Sequence, residues 1–176
     1  MTRLLGSLSL VVGGVAWVAF ALVYAGQRYG DTATLRLLRP AEPLSSTYRG
    51  GADAAPYLAA AVVLTLVGLA LLYGQVAWAA GPWGKASVIL LALSTLMLAP
   101  WPFLFVGFLC FVVGMLMLAI TSLRTGLLPR SAAAMLIAAA ILLFFFNTED
   151  DRAMMAIAPG TAFFALGARS LLSVAR

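Results

Sequence analysis

ASVILLALSTLMLAPWPFLFVGFLCFVVGMLMLAITSL, residues 86–123, contains no Asp, Glu, Lys, Arg or His. Its apolar residues are continuous and follow neither a helical nor a strand period, so the medium around them is lipid. As one helix at 1.5 Å per residue it would be about 57 Å long, nearly twice a hydrocarbon core of about 30 Å. Pro100-Trp101-Pro102 divides it. Two prolines two apart remove two backbone donors and disfavour helix at the residues before them. The run therefore reads as two membrane spans, 83–99 and 103–123, joined by a hairpin. A broken helix lining a substrate path is the sharper reading of the same element.

Four more spans follow from the flanking chain. Residues 4–25 hold no charge and reach about 33 Å. Arg3, this apolar stretch and Val23-Tyr24-Ala25 also resemble a secretory leader, but the stretch is too long for a typical leader core, so it is taken as a retained span. Span two covers 57–80 and ends at the turn Gly81-Pro82-Trp83-Gly84-Lys85. Span five covers 129–147, with Pro129 suited to a first helical position. Span six covers 149–172 and opens on Thr148-Glu149-Asp150-Asp151, whose hydroxyl and carboxylates fit the positive end of a helix. The predicted fold is an all-α, polytopic membrane bundle with six transmembrane helices, five being the alternative count. The whole chain, 1–176, forms a single transmembrane domain with one long loop, 27–56. That loop carries a short amphipathic piece, 32–39, stopped by Pro40.

Composition agrees. Hydrophobic residues make up 64% of the chain and charged residues 10%, against about half and about a quarter in soluble domains. The net charge of +5 comes from eleven basic and six acidic residues strung singly between apolar runs. Such spacing orients a chain in a membrane and does not suit nucleic acid. With six spans, Arg3, Lys85, Arg124, Arg130, Arg169 and Arg176 share one side with both termini. All six acids, Arg152 and the four loop arginines, Arg28, Arg36, Arg39 and Arg49, fall on the other. Counted over the short segments, six basic residues face one, which places both termini in the cytoplasm. The loop arginines run against that count. The excess of Arg over Lys suggests a GC-rich prokaryotic genome, hence an inner membrane. Tyr24, Tyr57 and Trp101 fall at one set of span ends and Tyr73, Trp78 and Trp83 at the other, as in an interfacial belt. Trp17 lies too deep for it.

The chemistry is mostly one of exclusion. The chain has no histidine and a single cysteine, Cys110, in an apolar run. Imidazole triads, His-ligated haem, most zinc and copper sites and an intrachain disulfide are thereby excluded. Apart from Lys85 and the trio Glu149, Asp150 and Asp151 at span ends, no Asp, Glu or Lys falls inside a span, whereas proton relays and ion-coupled transport place ionisable groups there. The polar residues within spans, Ser9, Thr65, Gln75, Ser94, Thr95, Thr121 and Thr161, suit hydrogen bonds within or between helices. Glu149, Asp150 and Asp151 are the one candidate metal site, for a hard cation. Successive helical residues point about 100° apart, so helix capping explains them more simply. Glycines recur seven apart, at 6 and 13, 74 and 81, 107 and 114, and 160 and 167. Seven residues are near two helical turns, so each pair shares a face where backbones can approach closely. Gly107 and Gly114 on span four, and Gly160 and Gly167 on span six, are the predicted helix-packing positions. One of those faces is expected to meet another chain.

These features lead to a non-enzymatic accessory or structural subunit of a larger membrane assembly. A small transporter or channel for a neutral or lipidic substrate is the second expectation, and a membrane enzyme using the outer carboxylates the third. No cofactor is expected. The expected partners are the lipid bilayer and other membrane subunits or further copies of the chain. In a Cys110→Ala background, cysteines at Ser46 and Asp150 should label with an impermeant reagent from outside intact cells, and one at Thr125 should not. Labelling at Thr125 would reverse the orientation. Leu116→Arg should abolish accumulation in the membrane, because a mid-span arginine costs about 2.5–3.5 kcal/mol on insertion scales.

Overall fold

A computed structural model describes residues 1–29, 55–98, 104–145 and 151–174. Among these residues all regular structure is helical. Helix α1 spans Thr2–Tyr29. Helix α2, Ala55–Leu69, passes through a π-helical turn, Ala70–Gly74, into the short α3, Gln75–Ala79. Helices α4, Pro82–Leu98, and α5, Leu104–Thr125, follow. Helix α6 is Arg130–Phe144. A 3-10 turn, Asp151–Ala156, leads into α7, Ile157–Val174.

Four helical stretches are long and apolar enough to cross a membrane: Thr2–Ala25, Pro56–Gly74, Val106–Thr125 and Met154–Leu172. Helix α4, with 17 residues, and α6, with 15, would reach about 26 Å and 22 Å. Both fall short of a full hydrocarbon core, so they do not stand as spans by length alone. The π turn inside span two and the 3-10 start of span six were not foreseen. Pro100-Trp101-Pro102, the piece 32–39, and Thr148, Glu149 and Asp150 lie outside the described residues.

The order of packing is set by glycine. Helix α1 lies antiparallel to both α2 and α7; its contact with α7 is the broadest in the bundle, followed by that between α4 and α5 and then its own with α2. A methyl group at Gly14 would fall 2.6 Å from the Gly160 carbonyl oxygen and 2.5 Å from the Phe164 nitrogen. One at Gly160 would fall 2.8 Å from the Gly14 carbonyl oxygen. Farther along, Gly167 faces the Ser7 carbonyl and Val11. On its other side α1 meets α2 through Gly6 against Leu71 and Leu72, Gly13 against Thr65, and Gly68 against Leu10. In lipid there is little hydrophobic drive between helices, so dispersion at close range must hold them. Glycine permits that range. Gly114 likewise admits Leu91 where α4 packs on α5. The space beside Gly114, Gly160 and Gly167 is thus filled from within the chain, while Gly107 is buried in α5.

Gly74 and Gly81 differ from the other pairs. An added Cβ meets nothing within 4 Å at either. Gly81 has φ +101°, a left-handed conformation that glycine adopts at little cost, and it turns α3 into α4. Gly126, at φ +70°, closes α5 by donating to the Ser122 carbonyl, an ordinary glycine C-cap.

Large side chains fill the middle. Trp17, Tyr24, Phe111 and Phe163 are fully buried. Trp17 Nε1 donates to Thr65 Oγ1 at 3.2 Å, and its ring stacks on Phe111 with centroids 6.5 Å apart. Its depth follows from this: it ties α1 to α2 and α5 and has no place in an interfacial belt. The hydroxyls of Ser87, Ser94, Ser122 and Thr161 each donate to a carbonyl three or four residues earlier, which satisfies them without a partner helix. Thr121 Oγ1 is buried with no hydrogen-bond partner among the described residues.

Gly160→Leu should lower the unfolding temperature of the purified monomer, since overpacking costs about 1–3 kcal/mol and here the obstacle is backbone. Gly74→Ala should leave it unchanged or slightly raised, by up to about 1 kcal/mol of helix propensity. Equal effects of the two in detergent thermal melts would refute the glycine-set order of packing.

Candidate functional site

The antiparallel arrangement brings the start of α1, the end of α7, the π turn of α2 and the connection between α5 and α6 to one end of the bundle. That end collects every basic residue whose side chain is described: Arg3, Lys85, Arg124, Arg130 and Arg169. Two of them are held against aromatic faces. Lys85 Nζ sits 5.7 Å from the Trp78 ring centre, and the Arg124 guanidinium 5.6 Å from that of Trp83. Trp78 and Trp83 are both exposed. A cation over an indole at the edge of the apolar zone is the expected interfacial arrangement.

Arg3 and Arg169 are placed differently. Together with Tyr73, Leu127, Pro129 and Ser170 they line a cavity of about 480 Å³. The Gly167 contact sets this pairing, because it brings the last turns of α7 against the first turns of α1. Ser7 Oγ donates to the Arg3 carbonyl at 2.8 Å and lies 2.8 Å from Ser170 Oγ, which pins the two backbones side by side. Arg169 Nη1 donates to Ser131 Oγ at 3.2 Å, which steadies its fork against α6. Among the described residues no carboxylate lines this cavity. The six acids are Asp31, Glu42, Asp53, Glu149, Asp150 and Asp151, and of these only Asp151, at the start of the 3-10 turn, belongs to the described residues.

A second cavity, of about 230 Å³, adjoins the first at Tyr73. Leu66, Leu69, Val88, Leu91 and Leu118 supply most of its apolar wall. Its origin is local. The π turn inserts an extra residue into the helical ladder and widens it. The π turn and α3 carry the small residues Ala70, Gly74 and Ala77 towards α4, where a regular helix would present a uniform ridge. A basic, hydroxyl-bearing chamber therefore opens beside an apolar slot, with the Tyr73 side chain on the wall between them. Such a pair can hold a molecule with an anionic head and a hydrocarbon tail.

The residues singled out in the sequence lie elsewhere. Glu149 and Asp150 are outside the described residues, and Asp151 only opens the 3-10 turn at the far end. No cluster of three metal-ligating side chains occurs among the described residues. Cys110 is a half-buried free thiol on α5. Sequence reasoning placed Arg3 and Arg169 on the same side but did not join them, since nothing local marks residues at opposite ends of the chain as neighbours. The break in the ladder at 70–74 has no signal in its residues either, apart from Gly74. No protein-family model, curated protein or solved structure matches this chain.

Proposed function

We propose that this chain is a multi-pass inner-membrane protein of a prokaryote that takes up a lipidic ligand at its basic end and performs no bond chemistry on it. The observation that carries this reading is the basic chamber and apolar slot sharing Tyr73. Six crossings with both termini cytoplasmic fit it best. Helices α4 and α6, though short, each run antiparallel to a long neighbour. The basic residues collected at one end follow the positive-inside rule.

A second reading is an accessory or structural subunit of a larger membrane assembly. It is favoured over transport by the middle of the bundle, where Trp17, Phe111 and Phe163 are fully buried and packed. A protein that seats a lipid in one leaflet without passing it onward suits a subunit role. Self-association or other membrane subunits remain its proposed partners.

A photoreactive neutral diacylglycerol, added to the protein in nanodiscs, should crosslink to residues lining the slot, chiefly on α2 and α4. Val88→Trp, which fills the slot, should reduce that crosslinking at least fivefold and leave labelling of the exposed face of α1 unchanged. Labelling spread evenly over all apolar surfaces, indifferent to Val88→Trp, would sink the lipidic reading.

A further inference from the structure

We propose that the Arg3–Arg169 chamber binds the phosphate of an anionic phospholipid, with part of one acyl chain lying in the slot beyond Tyr73. This rests on the lipidic reading above and adds the headgroup chemistry.

Four observations converge on it. Among the described residues the chamber holds two guanidinium groups and no carboxylate. Guanidinium presents a planar fork that matches phosphate oxygens two at a time, and it stays charged at any physiological pH. Tyr73 adds a hydroxyl to the same lining, a group able to donate to a phosphate oxygen left over. The volume of about 480 Å³ falls in the range of ordinary small-ligand sites. The position is at the end of the apolar helices, beside the connection that leaves α5, where headgroups lie. Basic pockets between membrane helices on the cytoplasmic side are suited to anionic headgroups for this reason.

The remaining cations give the contrast. Arg124 and Lys85 lie over indole rings, whereas Arg3 and Arg169 flank an open volume. Neither guanidinium is deeply buried, so binding needs little desolvation and leaves the empty site soluble in the interface. A free phosphate would meet the same two arginines. The adjoining slot favours the lipid source, since an inorganic anion leaves that apolar wall unused.

The test uses the full chain, purified in neutral detergent, with thermal unfolding and native mass spectrometry as readouts. Phosphatidylglycerol and phosphatidylcholine with identical acyl chains are titrated, and inorganic phosphate serves as the headless anion. Phosphatidylglycerol should bind saturably, with a preference over phosphatidylcholine of tenfold or more. Arg3→Gln combined with Arg169→Gln should erase the preference while leaving the lipid-free unfolding temperature within a few degrees. Arg124→Gln, away from the chamber, should retain it. Equal binding of the two lipids, or a preference that survives the double substitution, overturns the proposal. If the diacylglycerol crosslink at the slot persists in that case, the lipidic reading stands and only the headgroup assignment falls. Stabilisation by inorganic phosphate equal to that by phosphatidylglycerol also overturns it, making the chamber a site for soluble anions.

Discussion

The contact between Gly14 and Gly160 is the constraint on which the bundle depends. At this crossing the backbones of α1 and α7 approach until a methyl group on either would strike the other's carbonyl oxygen. Lipid tails compete equally for apolar side chains, so burial of leucine or valine cannot by itself choose one helix pair over another. Backbone-to-backbone approach can, because dispersion falls steeply with distance and only glycine allows the shortest one. With α7 on one side and α2 seated on the other through Gly6, Gly13 and Gly68, α1 becomes the helix around which the others are ordered.

The direction of that crossing determines what the protein presents at each end. Because α1 and α7 are antiparallel, the beginning and end of the described chain meet, and with them Arg3 and Arg169. Ser7 and Ser170, at a sequence separation of 163, lock the junction through a 2.8 Å contact. The π turn of α2 ends near the same level and supplies both Tyr73 and the gap beneath it. A basic chamber above an apolar slot is thus a by-product of helix packing plus one wide turn. Outside the helices and the π turn, the described lining adds Leu127, Leu128 and Pro129 of the short α5–α6 connection.

The absence of buried charge takes on a positive meaning in this setting. A bundle whose interior is closed by Trp17, Phe111 and Phe163 has no use for ionisable groups at mid-membrane. Among its described interior hydroxyls, Ser87, Ser94 and Ser122 donate to carbonyls of their own helices, Thr65 and Ser7 join helices through Trp17 and Ser170, and Thr121 has no partner among the described residues. The polar chemistry is confined to the ends, where water and headgroups are available to solvate it. The glycine pairs spaced by seven were a partial guide. Gly160, Gly167 and Gly114 sit at close helix contacts, whereas Gly81 is a turn residue and Gly74 faces open space. Spacing alone reports which residues share a face, and only the neighbouring helix decides whether that face is used.

The sequence by itself determined the medium and the local elements. Uninterrupted apolar runs require lipid, and once in lipid every backbone group must be satisfied within its own segment, which leaves helices. Gly81-Pro82 was legible as a break because its backbone chemistry is local. Tertiary structure alone decided that Gly14, unmarked by any repeat, lies at the α1–α7 crossing, that Trp17 is a core residue, and that Arg3 and Arg169 share a chamber. Each of these depends on which helices become neighbours. In an apolar medium that choice rests on short-range backbone fit, a property of two surfaces together that neither strand of sequence carries alone.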